Sequence, residues 1–267
     1  VRNFDLPAEL AGIYTARGHR MTGRFSTHLG VRPIEPILRR LQSLSNLSDG
    51  ELELVRALAE RRERHSPGEQ LIGEGPSPGR PGFVVSGWAC RMRLMSDGRR
   101  QIFSPLLPGD GFGFGARPAL SAVVALTALE TVDATPLQDA VRRGSAPGLA
   151  RAIVSAEILE DALLLDHAVR LGRLTAFERV AHFLLELQQR LEVVGLGDRQ
   201  RFPLPLTQEI LADALGLSIV HVNRTLQQLR RSGLIELRSG VAILLQPEAL
   251  AKACDYRRAA PSSNKAA

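Results

Sequence analysis

Between Ile34 and Leu44 apolar residues fall at positions 34, 37, 38, 41 and 44, the spacing of one helical face. The next segment opens Ser48-Asp49-Gly50-Glu51, where Ser48 can cap a helix and Glu51, three residues on, can close a capping box. The run ELELVRALAERRER then predicts a second short helix. From His65 to about Leu137 the rhythm changes. Turn signals recur at SPGE, EGPSPGRPG, SDGRR and LPGDGFGFG, and QLIGE, GFVVSG, CRMRLM, RQIFSPLL and VVALTALE read as short strands between them. Apolar and polar residues alternate on both sides of Asp97-Gly98, a hairpin signature. Many short strands with such punctuation imply an antiparallel barrel or sandwich.

After Pro147 the pattern is helical. The run GLARAIVSAEILEDALLLDHAVRLG sets Leu149, Ile153, Ala156, Leu159 and Leu163 at spacings of four, three, three and four. That stripe is nearly heptad-like and could pair with its own copy, or else pack on its own barrel. A second helix is expected over Ala176 to Val193, followed by a loop at Gly195–Asp198 and an extended RFPLPL.

The segment LTQEILADALGLSIVHVNRTLQQLRR is the most specific in the chain. Thr207 can N-cap a helix that starts at Gln208 and stops at Gly216, the residue best suited to a left-handed turn. Ser218 can cap the next helix at once. With Ala212 small at the crossing and Leu211, Leu215, Leu217, Val222, Leu226 and Leu229 supplying both apolar faces, the pair predicts a helix-turn-helix. Burying Val222, Leu226 and Leu229 turns Ile219, Val220, Asn223, Arg224 and Gln227 outward. Arg and Asn make paired hydrogen bonds to guanine and adenine edges, and apolar side chains pack on thymine methyls. Thr207, Ser218 and His221 lie near helix starts and could touch phosphate. A solvated polar face is the plainer alternative. SGLIELRSGVAILL adds a hairpin turning near Arg238-Ser239-Gly240, a wing whose Arg238 could reach phosphate.

Composition narrows the classes. The chain has 267 residues, 44% hydrophobic, enough for more than one core. A formal charge of +6 favours an anionic partner, while 4% aromatics argue against a stacking platform for single strands. Two distant cysteines, Cys90 and Cys254, make neither a disulfide framework nor a metal cluster, and no metal site is expected. Cys90 alternates with Trp88 and Met92 on one strand face. A packed core thiol is the simple reading and a redox sensor beside Arg91 and Arg93 the sharper one. No signal peptide or membrane-length apolar run is evident, so a cytoplasmic protein without membrane contact is expected. No catalytic constellation is visible, so no enzyme is expected.

The chain resembles the Crp/Fnr family of bacterial transcription regulators over roughly residues 40–256. The match is carried by LIGEG, SGWACRMRLMSDGRRQIF, LLPGD, LGRLTAFERVAHFLLEL and LTQEILADALGLSIVHVNRTLQQLRRSGLI. Residues 1–32 show no sustained period and read as a flexible arm, and the resemblance implies an α+β fold that starts with a cyclic-nucleotide-binding-like antiparallel β-roll over 33–146. A central dimerisation helix over 147–172, a winged helix-turn-helix over 173–256 and a disordered tail over 257–267 follow. It further implies a homodimer on a pseudo-palindromic promoter site in double-stranded DNA, acting on RNA polymerase. Cyclic-AMP-binding members carry Gly-Glu-Leu followed by Arg and Ser or Thr, whereas this chain has PGDGFGFGARPALSAVVAL with Arg117 alone. No cofactor is therefore expected, and the effector stays open. Arg224 matches the family's guanine-reading arginine. Val220 replaces a glutamate and Ile219 an arginine, so a different half-site is expected, shifted by about 1–3 kcal/mol at the affected base pair. A small-molecule or redox sensor with protein–protein output is the alternative reading.

Overall fold

The computed structural model describes residues 34–77, 79–114 and 118–258. The expected arm over 1–32, Arg117 and the tail from residue 259 lie outside the described residues. Two helices lead in, α1 (Glu35–Leu44) and α2 (Asp49–Ala57), the latter closed by the expected Ser48/Glu51 capping box. Glu51 has a second duty. Its buried carboxylate also accepts the Leu149 N–H at 2.9 Å, capping the long helix from a distance of 98 residues.

The β-roll is two four-stranded antiparallel sheets, ordered β1-β8-β3-β6 and β2-β7-β4-β5. The strands are β1 (Arg62–His65), β2 (Gln70–Ile72), β3 (Gly82–Ser86), β4 (Ala89–Leu94), β5 (Arg100–Leu106), β6 (Gly111–Phe112), β7 (Ala122–Ala125) and β8 (Leu129–Asp133). Strand β1 corrects the sequence reading, which ran the second helix through these residues. The helix ends in a 3₁₀ turn at Leu58–Glu60, and RERH instead pairs with β8 at the sheet edge, where charged side chains keep their solvent. The roll's interior is filled by Ile72, Val84, Ala89, Leu106, Phe112, Val123, Ala125 and Leu129.

Helix α3 (Thr135–Arg142) leads to the 27-residue α4 (Pro147–Arg173). On α4 the apolar rows differ in exposure within the single chain. Leu149 is fully buried in its own core, while Ile153, Ala156, Leu159 and Leu163 are half-buried. The large apolar side chains left in solvent are Val154, Ile158, Leu165 and Val169, between 54 and 69% exposed, and Leu164 at 38%. No helix among the described residues is long and apolar enough to cross a membrane.

Helix α5 (Ala176–Val193) starts at a Thr175/Glu178 capping box. The remainder is β9 (Arg201–Pro203), α6 (Gln208–Leu215), α7 (Ile219–Arg231), β10 (Ile235–Arg238), β11 (Val241–Leu244) and α8 (Pro247–Ala253). The core under these elements does not stop at the roll. Trp88, Cys90, Met92 and Ile102, on the outer face of the β4–β5 hairpin, pack in one cluster with Val180, Leu184, Leu211, Leu215, Val222 and Leu226.

Candidate nucleic-acid interface

Helices α6 and α7 form as the local chemistry dictates. The Thr207 hydroxyl accepts the Ile210 N–H at 3.2 Å, and Gly216 takes φ 60°, ψ 38°, which ends α6 with its N–H on the Ala212 carbonyl. Ser218 Oγ accepts the His221 N–H at 3.2 Å and starts α7 two residues later. Arg179, at the start of α5, donates to the Leu215 carbonyl at 3.2 Å and to the Leu174 carbonyl at 2.8 Å. It braces the turn between the two helices, a role the sequence pattern did not suggest.

The two faces of α7 separate cleanly. Val222, Thr225, Leu226 and Leu229 are buried, while Ile219, Val220, Asn223, Arg224 and Gln227 are exposed. All five residues expected to read bases therefore lie on one open face. Val220 is 67% exposed, a cost in water that contact with an apolar surface would remove. Helix α7 carries no carboxylate, and Arg224, Arg230 and Arg231 have no ion-pair partner among the described residues. Gln227 donates to Asn223 Oδ1 at 3.4 Å, one turn back, so the two amides are held side by side.

Of the residues expected at phosphate, Thr207 is exposed at the start of α6, and Ser218 and His221 are exposed at the start of α7. The Thr207 hydroxyl oxygen is used as a cap, yet its hydrogen stays free to donate. Ser218 Oγ lies 3.1 Å from His221 Nδ1. With the hydroxyl donating there, the ring keeps its hydrogen on Nε2, the outward donor. The wing is a two-residue hairpin in which Ser239 and Gly240 both take positive φ, 48° and 76°, as a turn of that length requires. Arg238 at its tip is 75% exposed and lies 3.1 Å from Glu236. Strand β9 completes a three-stranded sheet, order β10-β11-β9.

Cys90 stands apart from this face. It is fully buried, and burial pushes its thiol up to about 12. Arg91 and Arg93, the charges expected to activate it, pair instead with Glu160 and Glu74. The geometry is that of a core thiol and favours the simple reading over the redox one.

Residues 178–253 match the family pattern of a Crp-like helix-turn-helix domain. The chain is 37% identical over 216 residues to the nitrogen fixation regulation protein FixK of Bradyrhizobium diazoefficiens, covering 78% of this chain and 89% of that one. It is 38% identical over 175 residues to FixK of Azorhizobium caulinodans, covering 64% and 70%. Among solved structures, FixK2 of Bradyrhizobium japonicum superposes with a TM-score of 0.63 at 30% identity, over 74% of this chain and 98% of that one. A roll, a long helix and a winged helix-turn-helix thus agree with these relatives, and the chain belongs to the Crp/Fnr family of DNA-binding transcription regulators.

Proposed function

We propose that this regulator acts as a homodimer that lays one α7 helix into each of two successive major grooves of a pseudo-palindromic promoter site, about 34 Å apart. The observation that carries this reading is the exposed face of α7, where Asn223, Arg224 and Gln227 stand between Ile219 and Val220 with no acidic side chain among them. Arg224 reads guanine, the two amides read adenine or position it, and the two apolar residues meet thymine methyls. Thr207, Ser218, His221 and Arg238 hold the phosphates on either side.

Dimerisation runs through the exposed stripe Val154, Ile158, Leu165 and Val169, whose 4-7-4 spacing puts four apolar side chains on one side of α4, with Asp161 in the gap. The roll works without cyclic AMP: its sequence lacks the glutamate and the Arg-Ser pair, and apolar side chains pack its interior. RNA polymerase is the further partner at the promoter.

Selection of bound sequences from random duplex DNA, with and without cyclic AMP, tests the reading. A two-fold symmetric motif recovered without nucleotide, with affinity falling steeply as salt rises, is the expected result. A motif that appears only with nucleotide would overturn the cyclic-AMP-free reading. No motif under either condition would leave the winged helix as a protein-binding surface.

A further inference from the structure

The winged helix is tied to the roll by one side chain in particular. Arg100 opens β5 opposite Leu94, close to the tip of the hairpin, and its side chain is only 10% exposed. Its Nη2 lies 2.6 Å from Asp213 Oδ2 and 3.0 Å from Glu209 Oε1. These carboxylates are four residues apart on α6, one turn along the same face. No other cation pairs with either among the described residues. The next residue, Gln101, donates to the Asp213 backbone carbonyl at 3.2 Å and lies 3.4 Å from Nε2 of the buried His167 on α4. Burial and the nearby Arg170 drop His167 to about 4, so at neutral pH that nitrogen can accept the amide. Hairpin, long helix and first helix of the DNA-binding unit therefore meet at two consecutive residues.

We infer that Arg100 is a positioning residue for DNA binding: with Gln101 it clamps α6 to the β4–β5 hairpin and so sets the direction in which α7 leaves the long helix. Helix α7 follows α6 through a tight turn at Gly216, so the angle imposed on α6 passes to the recognition face. In a dimer built on α4 that angle fixes the distance between the two α7 helices, and with it the half-site spacing the protein accepts. The inference rests on the dimeric reading above. The clamp is separable from folding because Glu209 is 47% exposed and the apolar core beneath holds the elements together without it.

The test uses full-length protein and the selected operator, with the half-sites moved apart or together one base pair at a time, plus a single half-site. Wild type should show a sharp spacing optimum; a flat profile would sink the dimeric reading itself. Arg100→Gln should retain single half-site affinity within about twofold and lose about tenfold in its preference for the optimal spacing, an ordinary size for coupling between sites. Arg100→Lys should regain part of that preference, since the charge remains but the planar guanidinium that sets Nη2 between the two carboxylates does not. If Arg100→Gln folds poorly, Glu209→Gln approaches the same clamp from α6 and should also flatten the profile. An unchanged spacing profile in the folded variants, or equal loss on single and paired half-sites, would overturn the assignment.

Discussion

Replacing Glu186 by glutamine perturbs a buried charge network that joins α1, the roll, α4 and α5. Glu186 on α5 is 7% exposed and pairs through Oε2 with Arg170 on α4 and through Oε1 with Arg190 Nη1 at 3.2 Å. Arg190 reaches on to Asp110 of the roll at 2.6 Å, and Arg40 on α1 lies 3.5 Å from the same carboxylate. Three cations thus face two anions. His182, within 3.1 Å of Arg170, does not add a fourth at neutral pH, because burial and Arg170 hold its pKa below the usual value. Glutamine at 186 keeps the shape and leaves Arg170 and Arg190 desolvated against one remaining carboxylate. A broken buried pair of this kind costs about 3–5 kcal/mol. For comparison Glu248→Gln, which breaks the exposed pair with Arg199, should cost under about 1 kcal/mol.

The pH dependence follows with a definite sign. Burial would raise the Glu186 carboxyl, but Arg170 and Arg190 outweigh it and hold the pKa below the ordinary glutamate value; Asp110 is held down in the same way by Arg190 and Arg40. A depressed folded pKa contributes stability that is present above the unfolded values, about 4.3 for Glu and 3.9 for Asp, and lost as pH falls through the folded ones. Urea unfolding followed by far-ultraviolet circular dichroism at pH 7 and across pH 2 to 5 measures both effects. Glu186→Gln should be destabilised at pH 7 and should lose less on acidification than wild type. Stability within about 1 kcal/mol of wild type at pH 7, or an identical acid limb, would show that the network is solvated and the reasoning wrong.

Three further outcomes are expected. Ile158→Glu or Leu165→Glu should shift the protein to monomer in sedimentation without unfolding it, whereas Leu149→Glu should unfold the protomer, since Leu149 has no exposed surface. Arg224→Ala should lose about 1–3 kcal/mol of discrimination at a single base pair in each half-site, read as a flattened column in the selected motif. Cys90 should resist iodoacetamide in the native protein at pH 8 and react only after denaturation, because its thiol is buried and pushed up to about 12; rapid native labelling at Cys90 would contradict the packing.

What could be read from the sequence was whatever is decided within about ten residues. The Thr207 and Ser218 caps, the stop at Gly216, the turn at Ser239-Gly240 and the capping box at Ser48 each depend on local hydrogen bonds, and all form as expected. The α4 stripe was harder for a geometric reason. Positions 149, 153, 156, 159 and 163 and positions 154, 158, 165 and 169 are both apolar rows on one helix, and periodicity cannot say which row meets its own chain. In the single chain the first row is buried or half-buried and the second is exposed. Strand β1 was lost for a similar reason: RERH continues a capped helix smoothly, and only its partner β8, more than sixty residues on, makes it a strand. Of the Arg170–Glu186–Arg190–Asp110 network only the i,i+4 pair Glu186–Arg190 had a local sign, and such a pair reads as a solvated one.

The continuous core makes a last consequence calculable. Two domains joined by a polar hinge unfold separately, but here the hairpin residues Trp88, Cys90, Met92 and Ile102 share a cluster with α5, α6 and α7. Exposing that face on separation would cost about 1.5–3 kcal/mol for each large buried side chain, before the buried ion pairs are broken. Roll and winged helix should therefore unfold in one transition rather than two. Trp88 is the single tryptophan in the chain and is buried in this shared cluster, so its fluorescence reports the junction itself. At fixed protein concentration, Trp88 fluorescence and circular dichroism should trace the same urea curve. A fluorescence change that completes at lower urea, with helix content still intact, would mean the two units part first and that the shared core is weaker than its burial implies.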